Sequence, residues 1–133
     1  MSPSPFPQLL AGVRVLVVED NPTVAMVIAE HLRLRGATVV GPAPSVPEAL
    51  SLVDNAPFDA AILDIDLKGQ HVTPVALRVR ALGRPFAFLS GYGDADALPP
   101  ELAHERCIAK PVQMDELASI IKAMAQRTGP AGP

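Results

Sequence analysis

Two hydrophobic rhythms alternate along this chain. Unbroken apolar runs, Val15-Leu16-Val17-Val18, Ala60-Ala61-Ile62-Leu63 and Phe86-Ala87-Phe88-Leu89, are separated by stretches in which apolar residues return every three or four positions. A strand with one wet face would alternate apolar and polar residues, so the continuous runs predict strands covered on both faces. The slower rhythm between them predicts amphipathic helices. Each strand run ends on polar chemistry: Glu19-Asp20 after the first, Asp64 after the central one, Ser90 after the next, and Lys110 after Cys107-Ile108-Ala109.

Taken in order, a strand at about 13–18 is followed by Asn21-Pro22, a preferred N-cap and first helical residue. Val24, Val27, Ile28 and Leu32 share helical spacing, and Gly36 supplies the stop. Thr38-Val39-Val40 predicts a short second strand at a sheet edge. Ser45 and Glu48 have the spacing of a capping box, opening a helix that runs to about Asn55. After the central strand comes a Lys68-Gly69 turn, then a helix from Thr73-Pro74 whose Val75, Ala76, Val79 and Leu82 share a face before Gly83. The loop Ser90-Gly91-Tyr92-Gly93-Asp94 and the paired Pro99-Pro100 leave the fourth helix short or mobile. A fifth strand is expected at 106–109. The last helix carries Leu117, Ile120, Ile121 and Met124 on one stripe, with acids leading and bases trailing as the helix dipole favours.

Five strand-helix repeats define an α/β fold: a doubly wound, five-stranded parallel sheet with helices on both faces, flavodoxin-like, in the strand order 2-1-3-4-5. That order sets strands one and three side by side and brings Glu19, Asp20 and Asp64 to the switch point, where such sheets open a crevice. Residues 12–127 are expected to form one domain, with disordered tails at 1–11 and 128–133.

Composition narrows the function. Eleven basic residues against 14 acidic ones give a net charge of −3, and the basic residues are scattered, which disfavours nucleic acid and anionic membranes as partners. The single cysteine, Cys107, rules out an internal disulfide and a multi-cysteine metal site and suits a reducing compartment. Met1-Ser2-Pro3-Ser4-Pro5-Phe6-Pro7 has neither a basic nor an apolar targeting region, and no apolar run reaches membrane-spanning length, so a cytoplasmic protein is expected.

Carboxylates packed together repel, and a bound cation is one remedy. An oxygen-only cluster such as Glu19, Asp20 and Asp64 suits Mg²⁺, which keeps several waters and takes one or two carboxylates plus phosphate oxygens. Aspartate is also a nucleophile towards phosphoryl groups. The charge on a transferring phosphoryl group would find the Lys110 ammonium and the Ser90 hydroxyl at neighbouring strand ends. His31, His71 and His104 lack metal-site spacing and read as surface or half-buried residues.

These residues resemble the receiver domain of two-component response regulators. The pieces are Val17-Val18-Glu19-Asp20-Asn21, Ile62-Leu63-Asp64, Leu89-Ser90-Gly91 and Ala109-Lys110-Pro111, in family order and at family spacing, within a match running from about 13 to 127. The resemblance implies that Asp64 accepts a phosphoryl group from a sensor histidine kinase or phosphotransfer protein. It implies Mg²⁺ bound by Asp20, Asp64 and the backbone carbonyl of Asp66, with Glu19 supporting the metal's water shell. Lys110 would contact the phosphoryl group, Ser90 would follow it on activation, and the Lys110-Pro111 bond would be cis.

Two departures stand out. The aromatic switch position three residues before the family lysine is Cys107 here, and Tyr92 stands two residues after Ser90. Phe88-Leu89-Ser90-Gly91-Tyr92 is similar to a subfamily of stand-alone receivers with Phe-Ala-Thr-Gly followed by Tyr, associated with HWE-type and related kinases. The implied function is a single-domain response regulator, a phosphoacceptor switch rather than an enzyme. It would signal through altered contacts with a downstream protein or by onward phosphotransfer, with Ser90 and Tyr92 as switch residues. One alternative is a haloacid-dehalogenase-type phosphatase, since Asp64-Ile65-Asp66 has that superfamily's Asp-x-Asp form and Asp94 or Asp96 could supply its further acid. The other is a pseudo-receiver that binds a partner without phosphorylation.

Overall fold

The computed structural model describes residues 7–91 and 93–128. In chain order the elements are β1 (Arg14–Val18), α1 (Pro22–Leu34), β2 (Thr38–Ala43), α2 (Val46–Asn55), β3 (Ala60–Asp64), β4 (Asp66–Leu67), β5 (Gln70–His71), α3 (Thr73–Ala81), β6 (Phe86–Ser90), β7 (Cys107–Ala109) and α4 (Met114–Thr128). The main sheet is parallel and runs β2-β1-β3-β6-β7. With β6 and β7 as its fourth and fifth members, this is the expected 2-1-3-4-5 order.

The unbroken apolar runs are explained by two cores. Alternate residues Leu16, Val18, Ala61, Leu63, Phe86 and Phe88 pack towards α2 and α3, while Val15, Val17, Ala60, Ile62, Ala87 and Leu89 pack towards α1 and α4. Every residue of β3 is buried. A fully buried Leu, Ile or Phe contributes about 1.5–3 kcal/mol, so the central strands are the most costly part of the fold to disturb. No described helix is long and apolar enough to cross a membrane.

Local signals set the helix starts. The Asn21 side chain accepts from the Thr23 and Val24 amides, with Pro22 opening α1, and the Ser45 hydroxyl accepts from the Glu48 amide at the start of α2. The buried stripe of α1 is Ala25, Ile28, Ala29 and Leu32, so Val27, expected inward, is 47% exposed. Small alanines let the helix lie close to the sheet and turn Val27 out. Leu82 also points outward, because α3 ends at Ala81 and Leu82 caps it. β2 lies at the edge as expected but continues through a cis Gly41-Pro42 bond to Ala43, where Ala43 O accepts from the Glu19 amide.

The fourth helix is reduced to two short 3-10 turns, Asp94–Ala97 and Pro100–Leu102. Leu98 and Leu102 from this segment cover the Phe88 side of the sheet. Cys107, beside Phe88 in register, nevertheless stays exposed, while the intervening Ile108 is buried on the other face.

The predicted disordered tail at 1–11 needs correction for residues 8–11. Leu10 is fully buried and its amide donates to Arg35 O, Gln8 Nε2 donates to Leu34 O, and Lys122 Nζ donates to Leu9 O. The apolar Leu9-Leu10 pair closes the end of the core between α1 and α4. At the other end α4 includes Thr128, one residue beyond the predicted domain.

Candidate functional site

The register places the chemistry. Val18 is paired with Leu63, so Glu19 and Asp64 emerge side by side. Asp64 is paired with Leu89, which puts Ser90 one residue further out, and Ser90 is paired with Ala109, which does the same for Lys110. Carboxylate oxygens of Glu19, Asp20 and Asp64 all lie within 4.8 Å of one another. Glu19 and Asp64 are 1% and 3% exposed, respectively, an unusual depth for acids. A cleft of about 420 Å³ opens beside Glu19 and Asp20, flanked by Pro22 and Met26 of α1, by Pro42 and by Lys68.

Lys110 is the cation of the site. Its Nζ lies 3.2 Å from Glu19 Oε1 and 3.2 Å from Asp64 Oδ1. The Lys110 amide donates to Ser90 O at 2.9 Å, and the Lys110-Pro111 bond is cis, as the family resemblance implied. Backbone amides hold the acids in place: Asn21 N–H donates to Glu19 Oε2 at 3.1 Å, and Lys68 N–H to Asp20 Oδ2 at 3.0 Å.

Three carboxylates against one ammonium leave an electrostatic deficit. Burial, reinforced by the neighbouring Glu19 carboxylate and opposed by Lys110, pushes Asp64 up from 3.8 to about 7. Burial also pushes Asp20 upward, but hydrogen bonds involving Glu19, Asp64 and the Lys68 amide outweigh it, and the net direction is down. For Lys110, burial favours the neutral amine, yet attraction to Asp64 and Glu19 prevails and raises it. A hard divalent cation answers this imbalance, and the all-oxygen donor set fits Mg²⁺.

The other predicted residues fall around this centre. Asp66 is exposed, and its carboxylate accepts from the Gly69 amide at 3.2 Å instead of joining the three acids, so only its backbone carbonyl is available for the role expected of it. Ser90 is half-buried at the end of β6. Tyr92 lies outside the described residues. Asp94 Oδ2 accepts from the Gly91 amide at 2.8 Å, and neither Asp94 nor Asp96 belongs to the acid cluster. Cys107 is exposed overall, and partial desolvation of its thiol pushes its pKa up, away from thiolate chemistry. His31 lies 3.8 Å from Asp115, His71 Nδ1 lies 2.6 Å from Thr73 Oγ1, and His104 is exposed, so none of the three joins the acid cluster.

Sequence reasoning missed the β4-β5 hairpin and the bond from its tip to Asp20. The local signal was the Lys68-Gly69 pair, which the sequence reading took as a simple turn. Nothing local says that the turn's amide reaches a residue 48 positions earlier.

A doubly wound sheet with buried acids, a hydroxyl and a lysine on adjacent strand ends defines the class of protein. The response regulator receiver domain family matches residues 15–122, and the chain belongs to that family. It is 32% identical over 125 residues to the transcriptional regulatory protein TcrA of Mycobacterium tuberculosis, covering 89% of this chain and 48% of that protein. It is 32% identical over 120 residues to the sensory transduction protein RegX3 of Mycobacterium tuberculosis, covering 86% of this chain and 52% of that protein. The chain thus spans about half the length of these curated relatives. The solution structure of SdrG from Sphingomonas melonis Fr1 is similar at a TM-score of 0.73 and 35% identity, covering 87% of this chain and 97% of SdrG.

Proposed function

We propose that this receiver domain is a Mg²⁺-dependent phosphoacceptor switch in which Asp64 takes the phosphoryl group. The observation that carries the proposal is Lys110 Nζ, 3.2 Å from Asp64 Oδ1, within a cluster of three acids at the carboxyl end of the sheet. In the transfer, an Asp64 carboxylate oxygen attacks phosphorus, the P–N bond of a donor phosphohistidine breaks, and its electron pair returns to the imidazole, which takes up a proton. Asp20, Asp64 and the Asp66 carbonyl would hold Mg²⁺, with Glu19 in the outer shell. The bound ion would neutralise charge on the phosphoryl oxygens. Lys110, released from part of its contact with Asp64, would pair with the new phosphoryl charge, and the Ser90 hydroxyl would donate to it. A charge-assisted hydrogen bond of that kind is worth about 1.5–3 kcal/mol, enough to bias a two-state loop tenfold or more.

Receiver domains work with histidine kinases or phosphotransfer proteins. For this chain we infer a sensor histidine kinase of the HWE or a related type, on the strength of the Phe88-Leu89-Ser90-Gly91-Tyr92 stretch. SdrG also has a BeF3-activated conformation, similar to this chain at a TM-score of 0.70. The output would be altered protein contacts or onward phosphotransfer, with no turnover of an external substrate. A net charge of −3 with basic residues scattered along the chain disfavours nucleic acid as a partner. A cytoplasmic location fits such a partner.

Intact mass after incubation with acetyl phosphate and Mg²⁺ tests the assignment. The parent protein should gain one labile phosphate, and Asp64→Asn should gain none while keeping its fold. Undiminished labelling of Asp64→Asn would place the phosphoacceptor elsewhere.

A further inference from the structure

Between β3 and α3 the chain makes a two-stranded antiparallel hairpin, with Asp66 opposite His71 and Leu67 opposite Gln70. Its tip is Lys68-Gly69, with φ of 53° and 83°, respectively. Positive φ at both central residues is the tight turn that matches strand twist, and it usually selects Asn-Gly or Asp-Gly. Lys68 is the one non-glycine residue with positive φ among the described residues. A lysine gains nothing by adopting this backbone on its own account, so the surroundings must hold it there.

Those surroundings are specific. Leu67 is 1% exposed and anchors the first arm in the core, while the Val72 amide donates to Ile65 O at 3.0 Å and ties down the second. The Asp66 carboxylate accepts from the Gly69 amide at 3.2 Å and braces the turn from inside. The left-handed backbone then aims the Lys68 N–H at Asp20 Oδ2, 3.0 Å away and 48 residues earlier in the chain. One Asp20 oxygen is thereby tied up. Asp20 still offers a carboxylate oxygen within 4.8 Å of those of Glu19 and Asp64.

Resting on the phosphoacceptor reading above, we propose that the hairpin tip is a positioning device for the metal-binding carboxylate: the backbone N–H of residue 68 orients Asp20 towards the Mg²⁺ position. Asp20 is half-buried and its side chain can rotate about single bonds, and the 3.0 Å bond from the Lys68 amide to Oδ2 limits that rotation. Because one short segment carries the Asp66 carbonyl and the amide that holds Asp20, it sets two donors of the site at once. The Lys68 ammonium has no part in this function. The backbone does.

Mg²⁺ affinity, measured by titration of backbone amide shifts on the unphosphorylated protein, provides the test. Lys68→Pro has no N–H at this position and cannot adopt its φ of 53°, so it loses both the donor and the turn that aims it and should bind Mg²⁺ roughly tenfold more weakly. Lys68→Gly keeps the N–H and relieves the backbone, and should bind as tightly as the parent or tighter. Gly69→Val, where an added Cβ meets no atom within 4 Å but a branched side chain must adopt φ of 83°, should weaken binding through the turn alone. Its Lys68 amide should exchange with solvent faster than the parent's. Parent-like affinity in Lys68→Pro, with the rest of the amide spectrum native, would overturn the positioning role and leave the phosphoacceptor reading standing. A parent protein that binds no Mg²⁺ would overturn both. Equal weakening in Lys68→Gly and Lys68→Pro would assign the effect to the side chain and overturn the proposal as well.

Discussion

Removing the Asp64 charge should make the metal-free protein more stable at neutral and alkaline pH, even though it removes the proposed phosphoacceptor. Asp64 is 3% exposed, beside a second buried acid and one lysine, and its pKa is raised from 3.8 to about 7. Between those values the folded protein holds a proton that the unfolded chain has lost. Stability therefore falls as pH rises through that window, and the penalty is complete above about pH 7. The ceiling for such a shift is roughly 4 kcal/mol. Asp64→Asn removes the ionisable group but also the attraction to Lys110, which keeps Glu19 at 3.2 Å. A net gain of about 1–3 kcal/mol is expected at pH 8. Urea unfolding in EDTA at pH 5, 6.5 and 8 reads it. With an m-value of about 1.5 kcal/mol per M, a gain of 2 kcal/mol moves the midpoint by roughly 1.3 M. Asp20, lowered, titrates below this window, and Lys110, raised, titrates above it. The histidines are common to both proteins, so the difference between the two curves isolates Asp64. Saturating Mg²⁺ should stabilise the parent and not the variant, shrinking or reversing the gap. Parallel curves for parent and variant from pH 5 to 8 would refute the claim that a buried, uncompensated carboxylate sits at the end of β3.

Two further predictions concern regions away from the acids. Gly36 has φ of 97°, and an added Cβ would lie 2.9 Å from Gln8 Oε1 and 3.0 Å from the Ala11 amide, so Gly36→Ala should cost about 1–3 kcal/mol in urea unfolding and expose the Leu9-Leu10 segment to hydrogen exchange. Because Cys107 is exposed and a thiol makes only weak hydrogen bonds, Cys107→Ala should leave beryllofluoride-induced amide shifts between Gly91 and Glu105 unchanged, whereas Tyr92→Ala should blunt them; a parent-like response from Tyr92→Ala would remove it from the switch.

The five strands of the main sheet and the acid-hydroxyl-lysine set were legible in the sequence because they rest on local information, and the strand order followed from the connection rules of doubly wound sheets. An apolar run buried on both faces must be a strand in the middle of a layered fold, and its first polar residue must emerge at the strand's end. Glu19, Asp64, Ser90 and Lys110 are such residues, and parallel connection of their strands brings them to one edge. Tertiary packing decided what has no local signature. Leu10 is ordered because the gap between α1 and α4 needs an apolar plug, which the prolines before it do not reveal. Val27 faces water because Ala25 and Ala29 let α1 approach the sheet, and a spacing rule counts Val27 and the alanines alike as apolar. The shortness of the fourth helix was readable from its glycines and paired prolines, but not that Leu98 and Leu102 of this segment cover Phe88. The bond from Lys68 to Asp20 joins two loops 48 residues apart, and such a contact exists only once β1 and β3 lie side by side.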